Sequence, residues 1–212
     1  MPLIQMGDLP WQLDNSSIRL ADTVSDLAAA RNQWNNVPGP DVTLGVIARQ
    51  STIVDPSPTF NFACDTSIPE GRIVIVASNE LGDGTFADAL ACTHRDPRTG
   101  DTTIRKAVIR LNVNVNWHNG SSRPNSNQLD FRSIITHEIG HALGAVHFDA
   151  DGDFCTRGLS RNATMCEVGR AGSGLVSIVG QTWPRSLGFA DKRGYTRAYC
   201  TFQQMNAGVD PC

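Results

Sequence analysis

Apolar positions along this 212-residue chain change period several times, and each change predicts an element. From Asp14 to Trp34, the residues Leu20, Val24, Leu27, Ala28, Arg31 and Trp34 fall near helical spacing, which predicts a helix with those side chains inward. Asn35-Asn36-Val37-Pro38-Gly39-Pro40 stops it, since proline lacks the amide a helix needs. Val42–Ala48 and Arg72–Ala77 read as strands, and the unbroken run Ile73-Val74-Ile75-Val76 predicts burial on both faces of the second. Asp55-Pro56-Ser57-Pro58 marks an irregular loop between them. Thr85–Cys92 predicts a third strand and Ile104–Val115 a fourth, with alternation carried out to Val113 and Val115. The 117–128 stretch is polar and loop-like. Leu129 opens a long helix with Phe131, Ile134, Ile135 and Ile139 as its buried face, and a last helix covers Leu187–Cys200. Helices and strands alternate without repeats or low-complexity tracts, which predicts one α/β (α+β) domain over 1–212.

The helix opened by Leu129 carries the candidate chemistry. In His137-Glu138-Ile139-Gly140-His141-Ala142-Leu143-Gly144-Ala145-Val146-His147, two histidines four apart lie one turn apart on one face, so both can reach one metal ion. Glu138 sits beside the first, where a carboxylate can hold and deprotonate a water at the metal. Gly144 is the natural helix end, and the turn it permits can return His147 as a third ligand. Three neutral nitrogens leave one position of a tetrahedral Zn²⁺ open, the pattern of a catalytic rather than a structural site.

These residues resemble the metzincin clan of zinc endopeptidases, which also carries a methionine-containing turn downstream. Asn162-Ala163-Thr164-Met165-Cys166 matches that turn, which implies that Met165 lies under the zinc without binding it. The short distance from His147 suits the matrixin-like branch. The resemblance implies a zincin fold: a twisted, mainly parallel mixed sheet and an active-site helix over 1–147, then a smaller C-terminal subdomain over 148–212 with the Met-turn and final helix. Gly84-Thr85-Phe86-Ala87-Asp88-Ala89-Leu90 looks like the matrixin edge strand, which implies a cleft rim of Phe86, Ala87, Ala89 and Leu90 that pairs with extended substrate through backbone groups.

The chain departs from the pattern in several places. Asp88 stands where matrixins usually place a histidine for a second, structural zinc, and only His94 and His118 remain, so that site is expected to be absent. Phe148 follows the third histidine where matrixins have serine or threonine, and Glu167 stands where a fifth-ligand tyrosine would be. The resemblance implies a pocket for the residue after the cleaved bond, which Leu175, Val176, Ile178 and Val179 are placed to line. Asp149-Ala150-Asp151-Gly152-Asp153 resembles the start of a calcium loop, with Ser160 in place of the closing glutamate, so Ca²⁺ is a possible second cofactor.

Composition narrows the partners. A net charge of −3 and no basic stripe argue against nucleic acid, and no apolar run reaches transmembrane length. The six cysteines contain no CxxC pair, which favours disulfides and a secreted protein. Met1-Pro2-Leu3 lacks the basic region and long apolar run of a signal peptide, so a leader would lie outside this sequence. Chain topology favours the bridges Cys64–Cys92, Cys155–Cys166 and Cys200–Cys212. Asn15-Ser16-Ser17, Asn119-Gly120-Ser121 and Asn162-Ala163-Thr164 fit the N-glycosylation pattern. The expected protein is therefore a monomeric zinc endopeptidase that hydrolyses extended peptides through a water activated by Glu138. The alternatives are an inactive metzincin-fold zinc-binding or adhesion domain and a zinc hydrolase of a non-peptide bond.

Overall fold

The computed structural model describes residues 3–6, 20–37, 44, 47–49, 64, 70–82, 84–98, 100, 102–147, 163–166, 168–169, 176–177 and 185–199. Its centre is a mixed five-stranded sheet of β1 (Leu3–Met6), β2 (Ile47–Arg49), β3 (Arg72–Ser78), β4 (Ala87–Arg95) and β5 (Thr102–Asn112), in the order β2-β1-β3-β5-β4. All neighbours run parallel except β4, which pairs antiparallel with β5. The run at 73–76 is unbroken because β3 is covered on both faces. Ile73, Ile75 and Ala77 enter the main core, whereas Val74 and Val76 meet Val108 of β5 on the other side. β1 was not expected from the sequence; four residues are too few to display a period, yet they lie between β2 and β3.

Helix α1 (Leu20–Asn35) forms where expected and ends at the asparagine pair, but its inward face is rotated. Leu27 and Trp34 are buried, as is Ala30, whereas Val24 is 40% exposed and Ala28 and Arg31 are only half-buried. The buried positions one turn before Leu27 are polar. Thr23 Oγ1 accepts from Asn119 Nδ2 at 2.9 Å, and Asp26 Oδ2 accepts from the Gly120 amide at 2.7 Å. Hydrophobic spacing misplaced the face because hydrogen bonds, not apolar contact, fill its first half.

The supposed loop at 117–128 is bracketed by a small parallel ladder, β6 (Trp117–His118) with β7 (Leu129–Asp130). Leu129 therefore opens a two-residue strand, and α2 (Phe131–Ala142) begins two residues later, capped by Asp130, whose carboxylate accepts from the Ser133 amide at 2.9 Å. The expected β5 alternation stops at Asn112. Val113 and Val115 lie in a turn, because the buried Asn112 side chain donates to Thr85 O at 2.8 Å and accepts from the Asn114 amide at 2.9 Å. The chain also forms a two-stranded ladder of β8 (Val168–Gly169) and β9 (Val176–Ser177), and α3 (Phe189–Tyr199).

One core joins these elements. The inner sheet face packs on Leu27, Ala30 and Trp34 of α1 and on Phe131, Ile134, Ile135 and Ile139 of α2, and the same cluster takes in Met165, Leu187 and Tyr195. A disulfide links Cys64 to Cys92 on β4, as the sequence suggested. Cys166 is also disulfide-bonded, to a cysteine outside the described residues, where Cys155, Cys200 and Cys212 lie. None of the described helices is long and apolar enough to cross a membrane.

Candidate metal centre

Helical period places His137 and His141 one turn apart on α2, and Gly144 supplies the rest. Its φ of +86° lets the Gly144 amide return to His141 O at 2.8 Å and the Ala145 amide to Gly140 O at 2.9 Å, which ends the helix. The turned chain then brings His147 alongside. The three Nε2 atoms of His137, His141 and His147 stand 3.0 Å from one another.

What those nitrogens carry follows from their other side. His137 Nδ1 lies 2.6 Å from Thr164 O, and His141 Nδ1 lies 2.8 Å from Ala145 O. A carbonyl can only accept, so both rings keep their hydrogen on Nδ1 and turn a bare Nε2 lone pair inward. Converging lone pairs repel unless a cation lies between them. A triangle of this side leaves a common point off its plane within the roughly 2.0–2.1 Å that a zinc–nitrogen bond requires. The donor set therefore fits a metal ion.

Burial tunes the groups for that use. Burial, then the neighbouring His141 charge, lowers the His137 pKa to about 3, and burial lowers that of His141 as well. Both rings are thus neutral and open to a metal at pH 7. Glu138, 6% exposed, goes the other way: burial first and the Asp88 carboxylate second raise its pKa to about 8. Its Oε2 is buried and has no hydrogen-bond partner among the described residues. Exposure grades across the cluster, from buried His137 through half-buried His141 to exposed His147, so the centre opens on the His147 side.

Three features hold the helix that bears the site. Met165 is fully buried, and a Cβ added at Gly140 would come within 2.3 Å of its sulfur and 2.7 Å of Trp34 Cζ2. The glycine between the two helical ligands thus lets both side chains touch the helix backbone. The Trp34 indole also donates to Thr136 O at 2.9 Å. At the helix start, the Arg185 guanidinium grips Asp130, with Nε to Oδ2 at 2.9 Å, and reaches the Gly120, Ser121 and Ser122 carbonyls. Behind the 163–166 turn, buried Asp191 accepts from the Thr164 amide at 2.7 Å and the Met165 amide at 2.9 Å.

Arg185 and Asp191 escaped the sequence reading because Asp130 and the 163–166 turn, which they hold, lie more than twenty residues away. Asp130 left a local signal, an aspartate directly before an apolar helical run.

The structure brings His137, His141 and His147 together and sets Met165 against the helix between the first two. Of the residues expected at a cleft rim, Phe86 is buried, and Ala87 and Ala89 are half-buried against the core, while Leu90 is 39% exposed. β4 is the outer strand of the described sheet, and Asp88 forms a two-pronged ion pair with Arg110 on β5, directly opposite. His94 is exposed, and His118 Nε2 pairs with Ser122 Oγ at 3.1 Å. Phe148, the 149–153 acidic stretch, Ser160, Glu167, Leu175, Ile178 and Val179 lie outside the described residues.

The molecule is thus a mixed α/β protein with a three-histidine cluster suited to a metal. No protein-family model matches the chain, and no curated protein matches it either.

Proposed function

We propose that this chain is a zinc-dependent endopeptidase with a metzincin-type fold, secreted, and acting on extended polypeptides. One observation carries the reading: three imidazole nitrogens converge on one point, and Glu138, next in sequence to the first of them, keeps a buried carboxyl oxygen with no hydrogen-bond partner among the described residues. A structural metal site has no use for that carboxyl. Zinc held by His137, His141 and His147 would supply a Lewis acid and make water acidic enough to ionise near neutral pH. The rest falls to the chain. Glu138 takes a proton from the attacking water and passes it to the leaving amine, and its raised pKa would fall back toward the working range with a metal bound. The outer strand β4 offers backbone groups for an extended peptide, which gives affinity with little sequence preference. Disulfides at Cys64–Cys92 and Cys166 fit an oxidising compartment.

Incubation with casein, with and without a chelator, tests the reaction. Chelator-sensitive fragments are expected, and Glu138→Gln should cut their rate by about 10²–10⁴-fold, the usual contribution of a general base, with one zinc still bound per chain. Loss of zinc together with activity would make Glu138 a structural residue. Zinc binding without cleavage would leave an inactive zinc-binding domain or a hydrolase of another bond.

A further inference from the structure

The carbonyl that orients His137 has a second side. Thr164 C=O and Met165 N–H belong to one rigid peptide plane. At one edge of that plane, Thr164 O accepts from His137 Nδ1 at 2.6 Å; at the other, the Met165 amide donates to Asp191 Oδ1 at 2.9 Å. The second Asp191 oxygen is committed elsewhere, accepting from the Thr164 amide at 2.7 Å and the Gly188 amide at 2.6 Å. Thr164 Oγ1 adds a bond to Ser186 O at 3.0 Å. Every member of the chain is buried: His137 at 5% exposure, Thr164 at 1%, Met165 at 0% and Asp191 at 2%.

Many metal-binding histidines give their outer N–H straight to a carboxylate, which fixes the ring and raises its basicity. Here a peptide group stands between the two. Hydrogen bonds in series polarise one another, and a dry surrounding strengthens the effect. We propose that Asp191 is a positioning residue for the metal centre, acting on His137 through the Thr164–Met165 peptide as a relayed carboxylate. It locks the peptide plane, and with it the direction of the His137 lone pair, and its charge draws electron density through the amide toward the ring. The proposal rests on the histidine cluster being a metal centre and does not need the peptidase reading.

Zinc titration against a chromophoric chelator, with the imidazole and amide protons followed by NMR, tests it. Asp191→Asn should weaken zinc binding by about 10–100-fold, as loss of an outer partner does. It should also speed exchange of the His137 Nδ1 proton while leaving that of His141, which is bound to Ala145 O. Asn35→Ala is the control: it removes the two hydrogen bonds to the Leu44 backbone, lowers the melting temperature, and should leave zinc affinity near that of the parent. Equal affinity losses in the two variants would reduce Asp191 to a fold-stabilising residue and overturn the proposal. Should Asp191→Asn not fold, the parent decides. Zinc should shift the Met165 amide proton, which lies in the relay, more than the Thr164 amide proton, which does not; equal shifts would overturn the relay. Weak zinc binding in Asp191→Asn alongside a parent that cleaves no peptide would remove the protease reading and leave the relay standing.

Discussion

The two ends of the histidine cluster are built on opposite terms. His137 stands on a helix anchored by Trp34, Met165 and Arg185, buried, with its outer nitrogen fixed by a carbonyl. His147 is exposed and follows the Gly144 turn outside any helix. The buried end is preorganised, because its ring needs no reordering when a metal arrives, and the desolvation is met by folding. The exposed end completes the triangle from the solvent side and leaves the site open there. A site made wholly like His137 would be inaccessible, and one made wholly like His147 would hold a metal loosely.

Ligand removal should break this contrast most clearly. His137→Ala should reduce zinc affinity by more than the roughly 100-fold expected from losing an outer hydrogen-bond partner. His147→Ala should cost less, since His137 and His141 stay fixed on α2. Competition titration decides it, and equal losses would mean that the two ends are equally organised.

Proton linkage sharpens the comparison next. In the metal-free protein, His137 falls from 6.5 to about 3, so its stabilising contribution is complete above pH 6.5 and is lost as pH falls toward 3. Glu138 rises from 4.5 to about 8, so its contribution is complete below pH 4.5 and is lost as pH rises toward 8. The two slopes oppose each other between pH 4.5 and 6.5. From pH 6.5 to 8 only the Glu138 slope remains, about 2 kcal/mol at about 1.4 kcal/mol per pH unit. Glu138→Gln should remove that alkaline loss and keep the acid one; denaturant titration of metal-free protein at several pH values reads both. An alkaline limb unchanged in Glu138→Gln would show that Glu138 is ionised in the folded state.

The smallest effect concerns the packing beneath the buried end. Gly140→Ala gains about 1 kcal/mol of helix propensity but forces Met165 and Trp34 aside, and overpacking of that kind costs about 1–3 kcal/mol. A net loss near 1 kcal/mol is expected in thermal unfolding, with weaker zinc binding because the shift falls between two ligands. A stabilised variant would mean that Met165 has room to move.

These contrasts explain which parts were legible in the sequence. His137, His141, Gly144 and His147 could be read because helical period and a positive-φ turn act within eleven residues. Ile73–Val76 could be read because β-branched runs report burial directly. The α1 face was misread because Thr23 and Asp26, polar residues, occupy it to receive Asn119 and Gly120. β1 is too short to carry a period, and β6 with β7 hides in polar sequence. Asp191 and Arg185 look like ordinary surface charges until the fold brings Met165 and Asp130 to them. Local chemistry could be read; support delivered from afar could not.

The Asn119 hydrogen bond carries a consequence for carbohydrate. Asn119-Gly120-Ser121 is an acceptor sequence, yet the amide nitrogen that would receive a sugar is buried and bonded to Thr23 Oγ1. Glycan attachment and docking of this stretch on α1 compete for the same atom. A sugar added before folding would keep the strand from its seat, and a chain that folds first is closed to the transferase.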